Sequence, residues 1–247
     1  MIPFRDENPT RTFPIVVVGL IAANVAIFIH QALMPNTEQL LFVYTYGAVP
    51  AVLLGKVTLA QVIPAEVRSA AVLADLRASQ LQPIWLTIFS SMFVHGGFAH
   101  LGGNMLYLWI FGNNVEDALG HARFIVFYLL CGCIAAAAQI TMSAASPAPM
   151  IGASGAIAGV LGAYYMKFPR ARVQCLVFLF LFVTVAYLPA GLVLLLWFLL
   201  QVYQSLLVGS HGALGGVAVF AHIAGFIAGW ALVRGFEPKR RIRLSAW

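Results

Sequence analysis

A serine, three histidines and an asparagine stand out because they interrupt long apolar stretches of the sequence. They are His95, His100, Asn104, Ser154 and His222. A serine hydroxyl can attack a carbonyl carbon, and an imidazole can take its proton and later give it to the leaving amine. Donors such as His100, Asn104 and the Ser154 amide can stabilise the resulting oxyanion. These residue types indicate acyl transfer by a serine nucleophile with a histidine base.

Other chemistries have less support in the same residues. His100 and Asn104 are four apart and share a helix face. His95 and His100 differ by roughly 140° round a helix, so we do not expect them to form a paired site on one helix. The HExxH-type pair of a metal site and a nearby acid are missing, and so is a phosphate-binding loop. We therefore predict no metal and no cofactor. No acid within the apolar stretches can orient the histidine, which predicts a dyad rather than a triad.

The composition excludes a soluble globular protein. The chain has 247 residues, of which 62% are hydrophobic and 9% charged, against roughly 25% charged in an average soluble domain. So few charges cannot cover the outside of a soluble fold. The net charge of +6 is spread over short loops and one tail, which fits membrane topology better than nucleic-acid binding.

The apolar stretches predict an all-α polytopic membrane protein with six transmembrane helices in one domain, 1–247. The predicted spans are 13–34, 98–112, 122–142, 152–166, 189–208 and 217–233. A long outer loop, 35–82, follows the first span. Residues 173–187 are expected to be an extended or interfacial lead-in, because Pro189 breaks a helix at this point.

The basic residues orient these spans. With both termini in the cytoplasm, only three of the 14 Lys and Arg residues fall outside, all in the long outer loop: Lys56, Arg68 and Arg77. This asymmetry follows the positive-inside rule. It places the candidate site residues in the outer halves of their helices. The GxxxG patterns that start at Gly155 and Gly225 predict close packing of the fourth and sixth spans, which a serine–histidine hydrogen bond requires.

Three sequence pieces resemble the motifs of one family. They are His95-Gly-Gly-Phe-Ala-His100-Leu-Gly-Gly-Asn104-Met105, Gly152-Ala-Ser154-Gly155 and Ala221-His222-Ile-Ala-Gly225. In this order, and each on its own span, they resemble the rhomboid intramembrane serine proteases of the six-span bacterial type. The resemblance implies that Ser154 is the nucleophile and His222 the base. It also implies an oxyanion site of His100, Asn104 and the Ser154 amide, with the remaining motif positions in support: His95, Gly152, Gly155 and Gly225.

The resemblance further implies a hydrolase that cleaves single-pass transmembrane proteins within the lipid bilayer. It implies a water-filled cavity that opens outward, lateral access near the fifth span, and a bacterial inner membrane. One departure from the family pattern concerns the surroundings of the histidine. Many members have an aromatic residue four positions after the serine, packed against the histidine, but here it is Ala158. Three other rings are candidates to fill that space: Tyr128, Tyr164 and Phe220.

Two functions of other classes stay open on the sequence. A catalytically inactive rhomboid-like protein would bind transmembrane helices without cutting them, although such relatives usually lack the serine or the histidine. A transporter or channel would use His95, His100 and His222 to line a pathway. Transport would survive the loss of Ser154, whereas proteolysis would not.

Overall fold

The computed structural model describes residues 1–69, 72, 83–179, 182–208 and 218–238, and only the backbone of 178–179 and 204–208. Some predictions lie outside the described residues: much of the end of the outer loop including Arg77, the loop 209–216, and the basic tail from Lys239 onward. Within the described residues the chain is mostly helical.

Seven helices of eleven or more residues make up most of the described structure. They are α1 (Ile15–Ala32), α2 (Asn36–Tyr46), α3 (Phe98–Leu119), α4 (His121–Met142), α5 (Ser154–Lys167), α6 (Ala190–Val208) and α7 (Val219–Phe236). Short helical turns connect α2 to α3 through the outer loop and the segment Ile84–Phe93. These bounds lie close to five of the six predicted spans.

Among the described residues, α1, α4 and α7 are long and apolar enough to cross a membrane. A fourth span results if Ile84–Phe93 and α3, which meet at a bend of 82°, are counted together. The 14-residue α5 is about 21 Å long, shorter than a hydrocarbon core of ~30 Å. Residues 156–164 of α5 are all buried, so neighbouring helices enclose it.

The helix at the predicted second span continues past residue 112. Helix α3 continues to Leu119 because its polar residues after position 112 find partners inside the protein. The Glu116 carboxylate accepts hydrogen bonds from the amides of Val16 and Val17, at 2.9 and 2.8 Å, which satisfies two free donors at the start of α1. Gly120, with φ of +80°, then ends α3 and opens α4.

The all-α prediction is confirmed in part, since the described residues are mostly helical but also include a three-stranded antiparallel sheet at one end of the bundle. Its strands are β1 (Ile2–Asp6), β2 (Arg172–Leu179) and β3 (Phe182–Pro189), in the order β1-β2-β3. The predicted extended segment 173–187 is the β2–β3 hairpin. Its strands form because β-branched and aromatic side chains favour a pleated surface. This hairpin leads directly into α6.

The N-terminal strand is tied to the bundle through one carboxylate. Asp6 accepts hydrogen bonds from the Tyr164 hydroxyl at 2.7 Å and from Asn114 Nδ2 at 2.8 Å. Burial raises the pKa of the Asp6 carboxyl, and the Tyr164 hydrogen bond opposes that rise. These contacts hold β1 beneath α3 and α5, at the end of α5 opposite Ser154.

Candidate active site

Two of the predicted residues meet in the structure. Ser154 Oγ lies 2.7 Å from His222 Nε2, a distance at which the hydroxyl donates to the imidazole. Ser154 is the first residue of α5, and His222 lies in the first turn of α7. His222 is 7% exposed. The positive end of the α5 dipole lies at Ser154, where negative charge would develop during acyl transfer.

Glycines let the two helices approach closely enough for this contact. A Cβ on Gly225 would overlap the carbonyl oxygen of Gly155, and a Cβ on Gly229 would overlap that of Gly159. The backbones of α5 and α7 therefore touch, which confirms the close packing predicted from the GxxxG patterns. The same packing fixes the separation of the serine and the histidine.

His100 and Asn104 lie one turn apart on α3 and line the same cavity as Ser154. Both side chains approach Gly152, which precedes Ser154 by two residues. A Cβ on Gly152 would lie 2.6 Å from His100 Nε2 and 3.4 Å from Asn104 Nδ2, and the residue has φ of +108°. Both space and backbone conformation therefore require glycine here. Two side-chain donors thus face the loop that delivers the serine.

His95 supports this donor pair. Asn104 Nδ2 donates to His95 Nε2 at 2.9 Å, and His95 Nδ1 is 3.4 Å from the Phe93 carbonyl oxygen. An amide nitrogen carries two hydrogens, so one bond fixes the Asn104 side chain and the other hydrogen can point into the cavity. His95 is completely buried.

His95 and His100 contact each other, although they do not lie on one helix. Their ring centroids are 5.1 Å apart in an edge-to-face arrangement. The angle of a regular helix does not apply, because α3 begins only at Phe98 and His95 lies before it, beyond the bend.

A cavity of about 740 Å³ is lined by Ser154 and His222 together with His100 and Asn104. Its polar lining comes from five helices, and its apolar lining includes Ile157, Leu161 and Trp197. The polar lining includes His100, Asn104, Gln139, Ser154, Gln201 and His222. Within the described ranges no three His, Cys, Asp or Glu residues lie close enough together to hold a metal ion. The cavity brings a serine hydroxyl, an imidazole and further side-chain hydrogen-bond donors to one space.

The aromatic partner of His222 is not one of the predicted rings. Trp197 of α6 packs against His222 with centroids 5.8 Å apart and planes at 40°. Tyr128 instead packs on Phe124, and Tyr164 hydrogen-bonds Asp6.

Sequence reasoning also missed two glutamines. Gln201 Oε1 lies 2.7 Å from His222 Nδ1, and Gln139 Oε1 accepts a hydrogen bond from the Ala221 amide at 3.2 Å. The signal was present, since Gln201 is a polar residue in an apolar span and stands four residues after Trp197. The sequence analysis predicts a dyad because it takes only Asp or Glu as a partner that could orient His222.

Known proteins share parts of this chain. A family model described as the Rhomboid domain matches residues 82–237. The chain is 31% identical over 172 residues to Rhomboid protein 1, mitochondrial, of Saccharomyces cerevisiae. The match covers 65% of this chain and 46% of that protein. It is 42% identical over 79 residues to Rhomboid protease GluP of Bacillus subtilis, 32% of this chain and 15% of that protein.

A third relative is the human Presenilin-associated rhomboid-like protein, mitochondrial. It is 36% identical over 84 residues, which cover 33% of this chain and 22% of that protein. The matches therefore span less than half the length of each of these relatives.

Proposed function

The chain belongs to the rhomboid family, and we propose that it is an intramembrane serine endopeptidase that cleaves transmembrane helices with a Ser154–His222 dyad. The observation that carries this proposal is the 2.7 Å approach of Ser154 Oγ to His222 Nε2 beside the two donors of α3. A nucleophile, a base and oxyanion donors around one cavity are the parts that acyl transfer needs.

The reaction follows from these positions. His222 Nε2 takes the Ser154 proton as Oγ attacks the substrate carbonyl carbon. The oxyanion forms near His100, Asn104 and the Ser154 amide, and the imidazolium then gives its proton to the leaving amine. A water that enters through the cavity attacks the acyl-enzyme, with His222 again as the base.

We further propose the six-span arrangement with both termini in the cytoplasm, in which α5 and α6 are the fourth and fifth spans. All of 1–247 then forms one membrane domain. This orientation keeps most basic residues inside and opens the cavity outward. The relatives include mitochondrial proteins as well as a bacterial one, so they support an integral membrane protein and not the bacterial inner membrane in particular.

The proposed substrates are single-pass transmembrane proteins. A peptide bond must leave its helix to reach the serine, so segments with helix-weakening Gly or Pro should be preferred. Cleavage of a single-span reporter in liposomes by the purified protein tests the proposal. If the folded protein cleaves none of several such reporters, it is a helix-binding relative without protease activity.

Replacing Asn104 by Ala is expected to lower kcat by about 10²- to 10³-fold, because one preorganised oxyanion donor is lost while the dyad remains. The effect should be smaller than that of losing the serine. Steady-state kinetics on the reporter substrate measures it. Thermal unfolding must be recorded as well, since the change also leaves His95 Nε2 without its partner.

The matched control is Asn113→Ala, another asparagine of α3 that lies away from the cavity and contacts Asn114. We expect it to cleave at the wild-type rate. Unchanged kcat in Asn104→Ala would remove Asn104 from the oxyanion site, and complete inactivity in a folded variant would show a larger role than one donor.

A further inference from the structure

The tautomer of His222 decides whether it can act as a base. A neutral imidazole carries one N–H and one acceptor nitrogen, and the group that contacts one nitrogen selects the form of the other. Ser154 can donate to Nε2 only if that nitrogen is unprotonated. The proton must then be on Nδ1, which needs an acceptor because the ring is buried.

Gln201 supplies that acceptor. Its Oε1 lies 2.7 Å from His222 Nδ1, and its side chain is 7% exposed. A carbonyl oxygen accepts and never donates. This contact therefore favours the tautomer with the proton on Nδ1 and leaves Nε2 free for Ser154.

Helix α6 also fixes the plane of the ring. Trp197 stands one turn before Gln201 on the same face, and its indole packs against His222. The N-terminus of α6 is hydrogen-bonded to the segment that follows α5, since the amides of Ala190 and Gly191 donate to the carbonyl oxygens of Ala171 and Pro169. The helix that carries Gln201 is thus anchored to the helix that carries Ser154.

We propose that Gln201 is a positioning residue that completes a Ser154–His222–Gln201 triad; this rests on the proposed protease function. The Gln201 amide supplies an uncharged acceptor oxygen at this buried position. Of the described residues that line the cavity, none is Asp or Glu. The Gln201 carbonyl dipole also stabilises the imidazolium that forms when His222 takes the serine proton.

Two substitutions at this position separate orientation from packing. Gln201→Met keeps the length and volume of the side chain but removes the oxygen, whereas Gln201→Glu keeps an acceptor oxygen. A general base is worth about 10²- to 10⁴-fold, and misorienting it forfeits part of that. We expect Gln201→Met to lower kcat by about 10- to 100-fold with KM little changed, and Gln201→Glu to recover most of the loss.

The matched control is Leu200→Met on the same helix, where the side chain is half-exposed and outside the cavity lining. It should have wild-type kinetics. Nitrogen-15 NMR of labelled histidine gives a second readout that does not depend on activity, with the His222 signals assigned by their loss in His222→Ala. We expect the Nδ1–H tautomer in the wild type and a shift toward Nε2–H in folded Gln201→Met.

An unchanged tautomer together with unchanged kcat in Gln201→Met would overturn the proposal. So would a loss of kcat in Gln201→Glu as large as in Gln201→Met while His222 keeps the Nδ1–H tautomer, because the loss would then not come from the orientation of the ring. If the wild type cleaves no substrate, the protease function fails, and the NMR spectra alone then decide whether Gln201 orients His222.

Discussion

Cleavage by His222→Ala should fall by about 10⁴-fold or more, to the level of the uncatalysed background in a reporter assay. His222 is the group within hydrogen-bond distance of Ser154 Oγ that can accept its proton, and an unactivated serine hydroxyl is a weak nucleophile. Removing one member of such a unit costs nearly as much as removing all of it. Initial rates on a single-span reporter in liposomes measure the effect.

The control for this substitution is His30→Ala. His30 lies near the end of α1, is exposed and packs against Phe42 rather than in the cavity. It should cleave as fast as the wild type. Cleavage close to the wild-type rate in His222→Ala would remove this residue as the base.

Gly229→Ala should destabilise the protein and inactivate it, although Gly229 is two helical turns from His222. The added methyl group would overlap the backbone of Gly159, so α7 must move away from α5. Overpacking of this kind costs about 1–3 kcal/mol or more in free energy of unfolding. A displacement of ~1 Å at the dyad can lower the rate by ~10²-fold. Thermal unfolding in detergent and kcat are the two measurements.

Gly235→Ala is the matched control, because it lies on the same helix and a Cβ there would meet nothing within 4 Å. We expect its melting temperature and kcat to match the wild type. Equal stability of Gly229→Ala and Gly235→Ala would contradict the close backbone contact between α5 and α7.

The residues of the candidate site are easier to predict from the sequence than the secondary structure around them. Ser154, His222, His100 and Asn104 could be singled out because a polar side chain inside an apolar span is costly and needs a reason. Their meeting was predictable from the glycine spacing, since small residues allow close helix contact. The partner of Asn104, by contrast, depends on the bend before α3, and a regular helical period cannot represent a bend.

The pairing of the strands into a sheet and the full length of α3 are hard to predict from the sequence for a related reason. Glu116 and Asn114 look like the polar end of a span, but the structure satisfies them with the amides of Val16 and Val17 and with Asp6, which are distant in sequence. Hydrophobicity alone does not reveal such partners. The β2–β3 hairpin is apolar enough to resemble part of a span, and β-strand pairing with β1 depends on tertiary context.

The most direct test of the central claim compares wild-type protein with Ser154→Ala on one single-span substrate, in detergent and in liposomes, with the cleavage products identified by mass spectrometry. We expect cleavage at one site by the wild type and none by the variant, with equal thermal stability of the two proteins. Cleavage that persists in Ser154→Ala would contradict the assigned nucleophile and with it the mechanism.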